Sequence, residues 1–462
     1  MKEISESVII KNFFVIAGLL SIFLIINGCS GNSDSPADKN ASGTLKMYMY
    51  SYDEAIQPAI SRFNDFSSIK INADVVNGSS QAELEEYRNK ITTSILAGEG
   101  PDIIVDYPAT FPSLWKMAQN GAFCDLNEYI DKDSGFKLSD YYSQPMEGGV
   151  INGKRYFMPV SFAIQLMWST EGILNKYGIN INEDNWTWEE FVKCFRKFSS
   201  ANENRDDKYF AGATFGFESI ILGCWPEFVD YSNKKTYFNS SAFMEMLEAY
   251  KAVYPKILPD SKLEMPELYF KFMKEESLIF VRQSSTLWSL WLHNTAVNKL
   301  LGSEMRVYPF PYGAGGTKIN GQIYRFAAVN AASRYKEEAF EFVKLLLSEE
   351  SQSKNEEEFS WLPVNKKAYE RAKKKYAGTE GNDKSILNFS PEGSQQYTSV
   401  SLQDELLLKL DGYLNNMDRC SYIDNNILQI IKEEVQAYIA GRQDADQTAR
   451  DIDNKSALYM EE

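Results

Sequence analysis

The stretch that decides the fold runs from residue 44 to residue 106. It opens on TLKMYMY (44–50), continues through IKINADVV (69–76) and closes on GEGPDIIVD (98–106). Thr44–Tyr50 reads as a strand. A helix is expected over Glu54–Phe66, then a strand over Ile69–Val76, where Ile69, Ile71, Ala73 and Val75 alternate. Ser80 and Glu83 have capping-box spacing, and Leu84, Tyr87, Ile91 and Ile95 follow at helical intervals. Gly98 and Pro101 end that helix, and Asp102–Asp106 is a short apolar strand between two carboxylates. Strands alternating with helices predict a mostly parallel sheet covered on both faces. Such sheets bind ligands beyond the carboxyl ends of their strands. Those ends make Tyr52, Asp53, Asp106 and Tyr107 the first candidates for a site, although Asp106 could equally cap a helix.

Upstream of this stretch lies an apolar run from Phe13 to Ile26, with Lys2 and Lys11 before it and Asn27-Gly28-Cys29 after it. The run is too short to span a bilayer comfortably and reads as a secretory signal over residues 1–28. Residues 29–43 are polar and small, as a flexible spacer requires. The part after residue 28 is too long for one core and suits two lobes.

The chain has 462 residues and a net charge of −16. The charges of residues 1–28 cancel, so the remainder keeps that value. An acidic surface argues against a nucleic-acid partner, which demands a basic footprint. Five cysteines, at 29, 124, 194, 224 and 420, form no CxxC pair, so a metal site is not expected. Cys124, Cys194, Cys224 and Cys420 read as buried small hydrophobes. The one histidine, His293, has no G-x-S-x-G elbow to serve, and HExxH is impossible. A calcium loop at Asp131–Tyr142 fails because its glycine comes one place early. No P-loop or dinucleotide fingerprint occurs. These absences set the expectation of no enzyme activity and no cofactor.

Several segments in order resemble the extracellular solute-binding proteins of bacterial ABC importers, in the family that includes maltose-binding protein. They are GEGPDII (98–104), NGAFCDL (120–126), INGKRYFMP (151–159), LMWST (166–170), NWTWEE (185–190), FAAVNAASRYKEEAFEF (326–342) and SWLP (360–363). Phe157 stands where the family commonly has glycine, and Trp168 where it has tyrosine. The end of the apolar run resembles the family's lipobox, with Cys29 as the lipid-bearing first residue of the mature protein.

The resemblance implies an α/β, two-lobed periplasmic-binding-protein-like fold with a ligand cleft between the lobes. Lobe one would be residues 44–157 and 307–353, and lobe two residues 158–306 and 354–462. It also implies a lipid-anchored protein on the outer side of the cell membrane, or in the periplasm of a cell with two membranes. Its partners would be a small solute, favoured as a sugar or oligosaccharide, and the membrane permease subunits. A monomer is expected. The other functions weighed are a glycan-binding sensor not coupled to transport, and an extracellular enzyme acting on glycosides.

Sugar sites combine flat aromatic faces with planar hydrogen-bonding side chains. Beyond the strand ends, the candidates are Phe162 after the presumed hinge and Trp225 in an expected loop or helix start. Arg282 and Gln283 precede Trp288, and Trp361 precedes Pro363. Each aromatic could instead be core, which is where most such rings reside. Trp168 reads as core. An anionic ligand would need a basic cleft, for which only Arg282 and Arg325 are available.

Overall fold

A computed structural model describes residues 43–50, 56–76, 80–109, 111, 113–212, 214–259, 270, 273–274, 279–313, 317–353, 361–378, 386–388 and 396–462. Strand β1 (Thr44–Tyr50), helix α1 (Ile56–Phe66), strand β2 (Lys70–Val76), helix α2 (Gln81–Leu96) and strand β3 (Ile103–Asp106) reproduce the expected alternation. Strand β1 pairs in parallel with both β2 and β3. Ser80 caps α2 as its spacing predicts. Its hydroxyl accepts from the Glu83 N–H at 3.3 Å, and the Glu83 carboxylate accepts from the Ser80 N–H at 2.9 Å. Gly98 follows that helix with φ +70°, a conformation that favours glycine.

The rest of the sheet corrects the expectation of a mostly parallel arrangement. Strand β4 (Met158–Thr170), β5 (Val281–Ser285), β6 (Met305–Pro309), β7 (Asn320–Val329), β8 (Leu362–Pro363) and β9 (Arg419–Ser421) complete nine strands. Their main path is β6-β4-β7-β3-β1-β2. The pairs β7–β3, β7–β4, β4–β6, β4–β5 and β4–β8 are all antiparallel. The physical reason is that β7 returns from far along the chain and enters between β3 and β4 against their direction. The local strand–helix rhythm ends at Asp106 and carries no information about that return.

Every residue of β4 is buried. A strand covered on both faces reads as an unbroken apolar run rather than an alternation, and PVSFAIQLMW is such a run with one amide in it. Helix α3 (Leu114–Gln119) follows β3. Helix α4 (Trp188–Ala201) starts at Thr187, whose hydroxyl accepts from the Glu190 N–H at 3.3 Å. Glu190 does not return the bond to Thr187 as Glu83 does to Ser80, and pairs with Lys193 at 2.8 Å. Helix α5 (Phe217–Phe228) lies against β4, and a Cβ at Gly223 would make ordinary van der Waals contact with Gln165 and Phe310.

Helix α6 (Ser241–Val253) and α7 (Leu287–Ala296) belong to the aromatic middle of the chain. Helix α8 (Lys336–Leu346) packs on α1 through Phe342 and Phe63, edge to face at 5.6 Å. Ser333 does not cap α8. It donates to Asp102 at 2.6 Å and accepts from the Tyr335 N–H at 3.1 Å, ahead of the first helical residue. The last third is helical, with α9 (Lys366–Tyr376), α10 (Asp404–Asn415), α11 (Asn425–Ile439) and α12 (Ala445–Glu461). Cys124, Cys194, Cys224 and Cys420 are buried free thiols. Among the described residues no helix is long and apolar enough to cross a membrane.

Candidate functional site

Gln165 is the one amide in the apolar run of β4, and it is buried. A buried amide is stable only when its donors and acceptor find partners. Strand β4 lies between β7 on one side and β5 on the other, so Gln165 reaches both. Its Nε2 donates to Gln322 Oε1 and to the Tyr324 hydroxyl, each at 3.1 Å, and both partners stand on β7. Its Oε1 accepts from Nη2 of Arg282 on β5 at 2.5 Å. Arg282 also hydrogen-bonds Tyr324. Four polar side chains from three strands are therefore tied through one amide.

Tyr324 stacks on Trp361, with ring centroids 3.7 Å apart and planes 17° from parallel. Trp361 is half-buried and immediately precedes β8, whose Leu362 and Pro363 pair with Phe162 and Ser161 of β4. The register of β7 shifts around Arg325, between Ile323 and Phe326. Such irregularities re-aim side chains next to functional sites. Arg325 places its guanidinium 4.4 Å from the Tyr107 ring centroid and donates to the Tyr107 hydroxyl. Tyr107 directly follows β3, and its N–H donates to Asp106 Oδ1 at 2.7 Å. The Tyr87 hydroxyl donates to the other oxygen of Asp106. Arg325, Tyr107, Asp106 and Tyr87 thus form a second polar cluster at the carboxyl end of β3, joined to the Gln165 group, among the described residues, only through the neighbouring positions 324 and 325 of β7.

Burial dominates the electrostatics. It pulls the Arg325 guanidinium down to about 9, still charged at neutral pH, and lowers Arg282 as well, partly offset by Tyr324. Burial, then the Asp106 carboxylate, pushes the Tyr107 phenol up to about 12. The assembled groups are phenols, amides and guanidinium ions beside a stacked indole. They offer hydrogen bonds to a polyhydroxylated solute and a flat apolar surface to its ring faces. They include no nucleophile paired with a base.

Of the expected site residues, the structure brings Arg282 and Trp361 into the Gln165 group, and Asp106 and Tyr107 into the second cluster with Arg325. Tyr52 and Asp53, like Cys29, lie outside the described residues. The backbone of Gln283 pairs with Leu166, and its side chain lies outside what is described. Phe162 is a core residue rather than a cleft residue: it is fully buried and packs edge to face on Tyr142. Trp225 is also core, and it lies inside α5 rather than in a loop. Its indole N–H donates to the Tyr231 hydroxyl at 3.0 Å, which donates in turn to the Tyr422 carbonyl at 2.9 Å. Trp288 is 37 % exposed in the first turn of α7 and makes no hydrogen bond or ring contact to the Gln165 group among the described residues. Trp168 is buried, as expected, against His293.

Gln165, Gln322 and Tyr324 were not foreseen. The signal for Gln165 was present, since a lone amide inside an apolar strand must have partners. A separate cavity of about 530 Å³ is bordered by Glu147, Glu227, Tyr231, Arg419 and Tyr422 and contains no member of the group. No cluster of three or more His, Cys, Asp or Glu suited to a metal ion occurs among the described residues.

Residues 49–270 match the family described as bacterial extracellular solute-binding proteins. Solved structures share the fold. The sugar-binding protein MalE from Xanthomonas citri aligns with a TM-score of 0.66 at 14% identity, covering 90% of this chain and 97% of that one. The ABC substrate-binding protein Lmo0181 from Listeria monocytogenes, solved with cycloalternan, aligns at 0.60 and 16% identity over 91% of this chain and 100% of that one. The cyclic alpha-maltosyl-1,6-maltose binding protein from Arthrobacter globiformis aligns at 0.60 and 15% identity over 91% and 99%. The match to bacterial extracellular solute-binding proteins covers 222 of the 462 residues, and the chain shares the two-lobed α/β fold of the maltose-binding-protein-like structures.

Proposed function

We propose that the chain is the solute-capturing component of an ABC importer and that its solute is a sugar or oligosaccharide. The observation that carries this reading is the Gln165 network with the Tyr324–Trp361 stack beside it. Planar donors and acceptors next to an aromatic face are what a ring with equatorial hydroxyls requires. The sugar ligands named for similar structures support the same choice. The lobes we assign are residues 44–157 with 307–353, and 158–306 with 354–462. Strands β4 and β7 then pair across the lobe boundary, so the polar group stands where the lobes meet. A solute that contacts both lobes binds the closed form more tightly and shifts the population toward it. The closed, loaded form is what the permease subunits accept.

The apolar run Phe13–Ile26 and Cys29 support export and lipid attachment at Cys29. Two acyl chains hold such a protein at the outer face of the membrane, where one would hold it only marginally. Mass analysis of the mature amino terminus tests this, and an unmodified Cys29 would refute it.

Thermal unfolding of residues 30–462 against mono- and oligosaccharides tests the binding reading. A ligand at 100 times its dissociation constant adds about 2.7 kcal/mol to native stability, enough to move the midpoint. A shift with one glycan class, the glycan recovered intact, is the expected result. No shift with any glycan, on a folded protein, contradicts the sugar reading. A shift with cleavage of the glycan contradicts the absence of catalysis.

A further inference from the structure

We propose that the captured saccharide is acidic and that its carboxylate pairs with Arg282. The inference rests on the saccharide-binding reading and adds the substrate class. Arg282 is largely buried in the Gln165 group, and its two hydrogen-bond partners, Gln165 and Tyr324, are both neutral. No carboxylate pairs with it among the described residues, and its buried Nε–H has no partner. Buried charges in folded proteins are paired, because an uncompensated one is strongly destabilising. Among the described residues none supplies that anion, and we assign it to the ligand.

The chemistry of the donor narrows that anion. The Nε–H and a terminal N–H of a guanidinium point in parallel, and a carboxylate accepts both at once. A neutral sugar brings hydroxyls that can occupy these donors but cannot neutralise the charge. The platform is in place as well, since Tyr324 bonds Arg282 on one side and stacks on Trp361 on the other. A saccharide ring lying against Trp361 would present its substituents toward Gln165 and Arg282.

The test is calorimetric titration of residues 30–462 with matched pairs. Galacturonate- and glucuronate-containing oligosaccharides are compared with their neutral galactose and glucose parents, and a sulfated member of each series forms a third arm. The acidic member should bind at least about 10-fold tighter than its parent, and 0.5 M sodium chloride should shrink that ratio. Arg282→Gln should bring the ratio to about 1, and Arg282→Lys should retain part of it. A sulfated member bound more tightly than the carboxylated one would overturn the carboxylate assignment. A neutral parent that binds as tightly as its acid, with the same ratio in Arg282→Gln, would overturn the proposal and leave the saccharide reading standing. Silence from every arm on a folded protein would overturn both. The salt dependence and preference of the unaltered chain decide the matter even if the glutamine variant does not fold.

Discussion

Trp225 and Trp361 carry the same ring and meet opposite neighbours. Trp225 is 1% exposed within α5, and its N–H is consumed by an internal chain through Tyr231 to Tyr422. The two tyrosine rings stack at 4.6 Å and 9°, and Trp115 lies 6.0 Å from Tyr231. Trp361 is half-buried, and the ring it meets, Tyr324, belongs to a network of amide and guanidinium groups. The difference teaches that aromatic abundance does not locate a binding site. A ring whose polar partners are satisfied inside the core holds the fold together. A ring bordered by charged and planar polar groups is available to a solute.

Trp225→Ala should give the largest effect on stability. Emptying a site of that size costs about 3–5 kcal/mol and leaves the Tyr231 hydroxyl without its donor. Chemical denaturation should show the loss, while the folded fraction keeps its ligand affinity. An effect under about 1 kcal/mol would remove Trp225 from the core side of the comparison.

Trp361→Ala should do the reverse. Loss of an aromatic anchor typically removes about 2 kcal/mol of binding energy, roughly 30-fold in affinity, with little change in stability. Calorimetric titration beside a denaturation curve separates the two.

Alkaline pH sharpens the same contrast. Burial raises the Cys224 thiol, next to Trp225, to about 12, and the Tyr250 phenol to about 12. Raised folded-state values mean the native state keeps protons that the unfolded chain releases. Their contribution is complete below the unfolded values of about 8.5 and 10 and is lost as pH rises through the folded ones. The unfolding midpoint should therefore fall steadily above about pH 9. At pH 8 the four described thiols should resist a thiol reagent until denaturant is added. A fast-reacting thiol in the native protein would contradict their burial.

Tyr324→Phe should have the smallest effect. It keeps the stack and removes one hydroxyl that accepts from Gln165 and bonds Arg282; each such bond is worth about 1 kcal/mol or somewhat more, and that loss falls mainly on stability. A few-fold loss of affinity is expected in a titration, and a loss as large as that of Trp361→Ala would shift the main role from the ring to the hydroxyl.

The parts legible in the sequence were those fixed by neighbours in the chain. The alternation over 44–106 gave the first three strands, and Asp106 and Tyr107 followed from their place at a strand end. Trp361 was visible because it sits two residues before a proline. What stayed hidden depends on distant pairing. Gln165 acquires meaning only when β7 arrives from residues 320–329 and β5 from 281–285. The direction of β7, and with it the mixed character of the sheet, has no local periodic signature.

Trp225 was misread for a related reason. Gly223 and Pro226 look like loop punctuation. In the structure Gly223 lies within α5 facing Gln165 and Phe310, and Pro226 occupies the last turn of α5, where its carbonyl accepts from Arg419 at 2.9 Å. Both residues serve contacts with segments remote in sequence.

The most direct test of the central claim compares saccharide affinity in three forms of residues 30–462: unaltered, Trp361→Ala and Trp225→Ala. The measurement is calorimetric titration with the glycan that raises the unfolding midpoint most. The account predicts a roughly 30-fold loss for Trp361→Ala and near-unaltered affinity per folded molecule for Trp225→Ala. Unchanged affinity in Trp361→Ala, with the loss appearing in Trp225→Ala, would place the solute elsewhere and contradict the site.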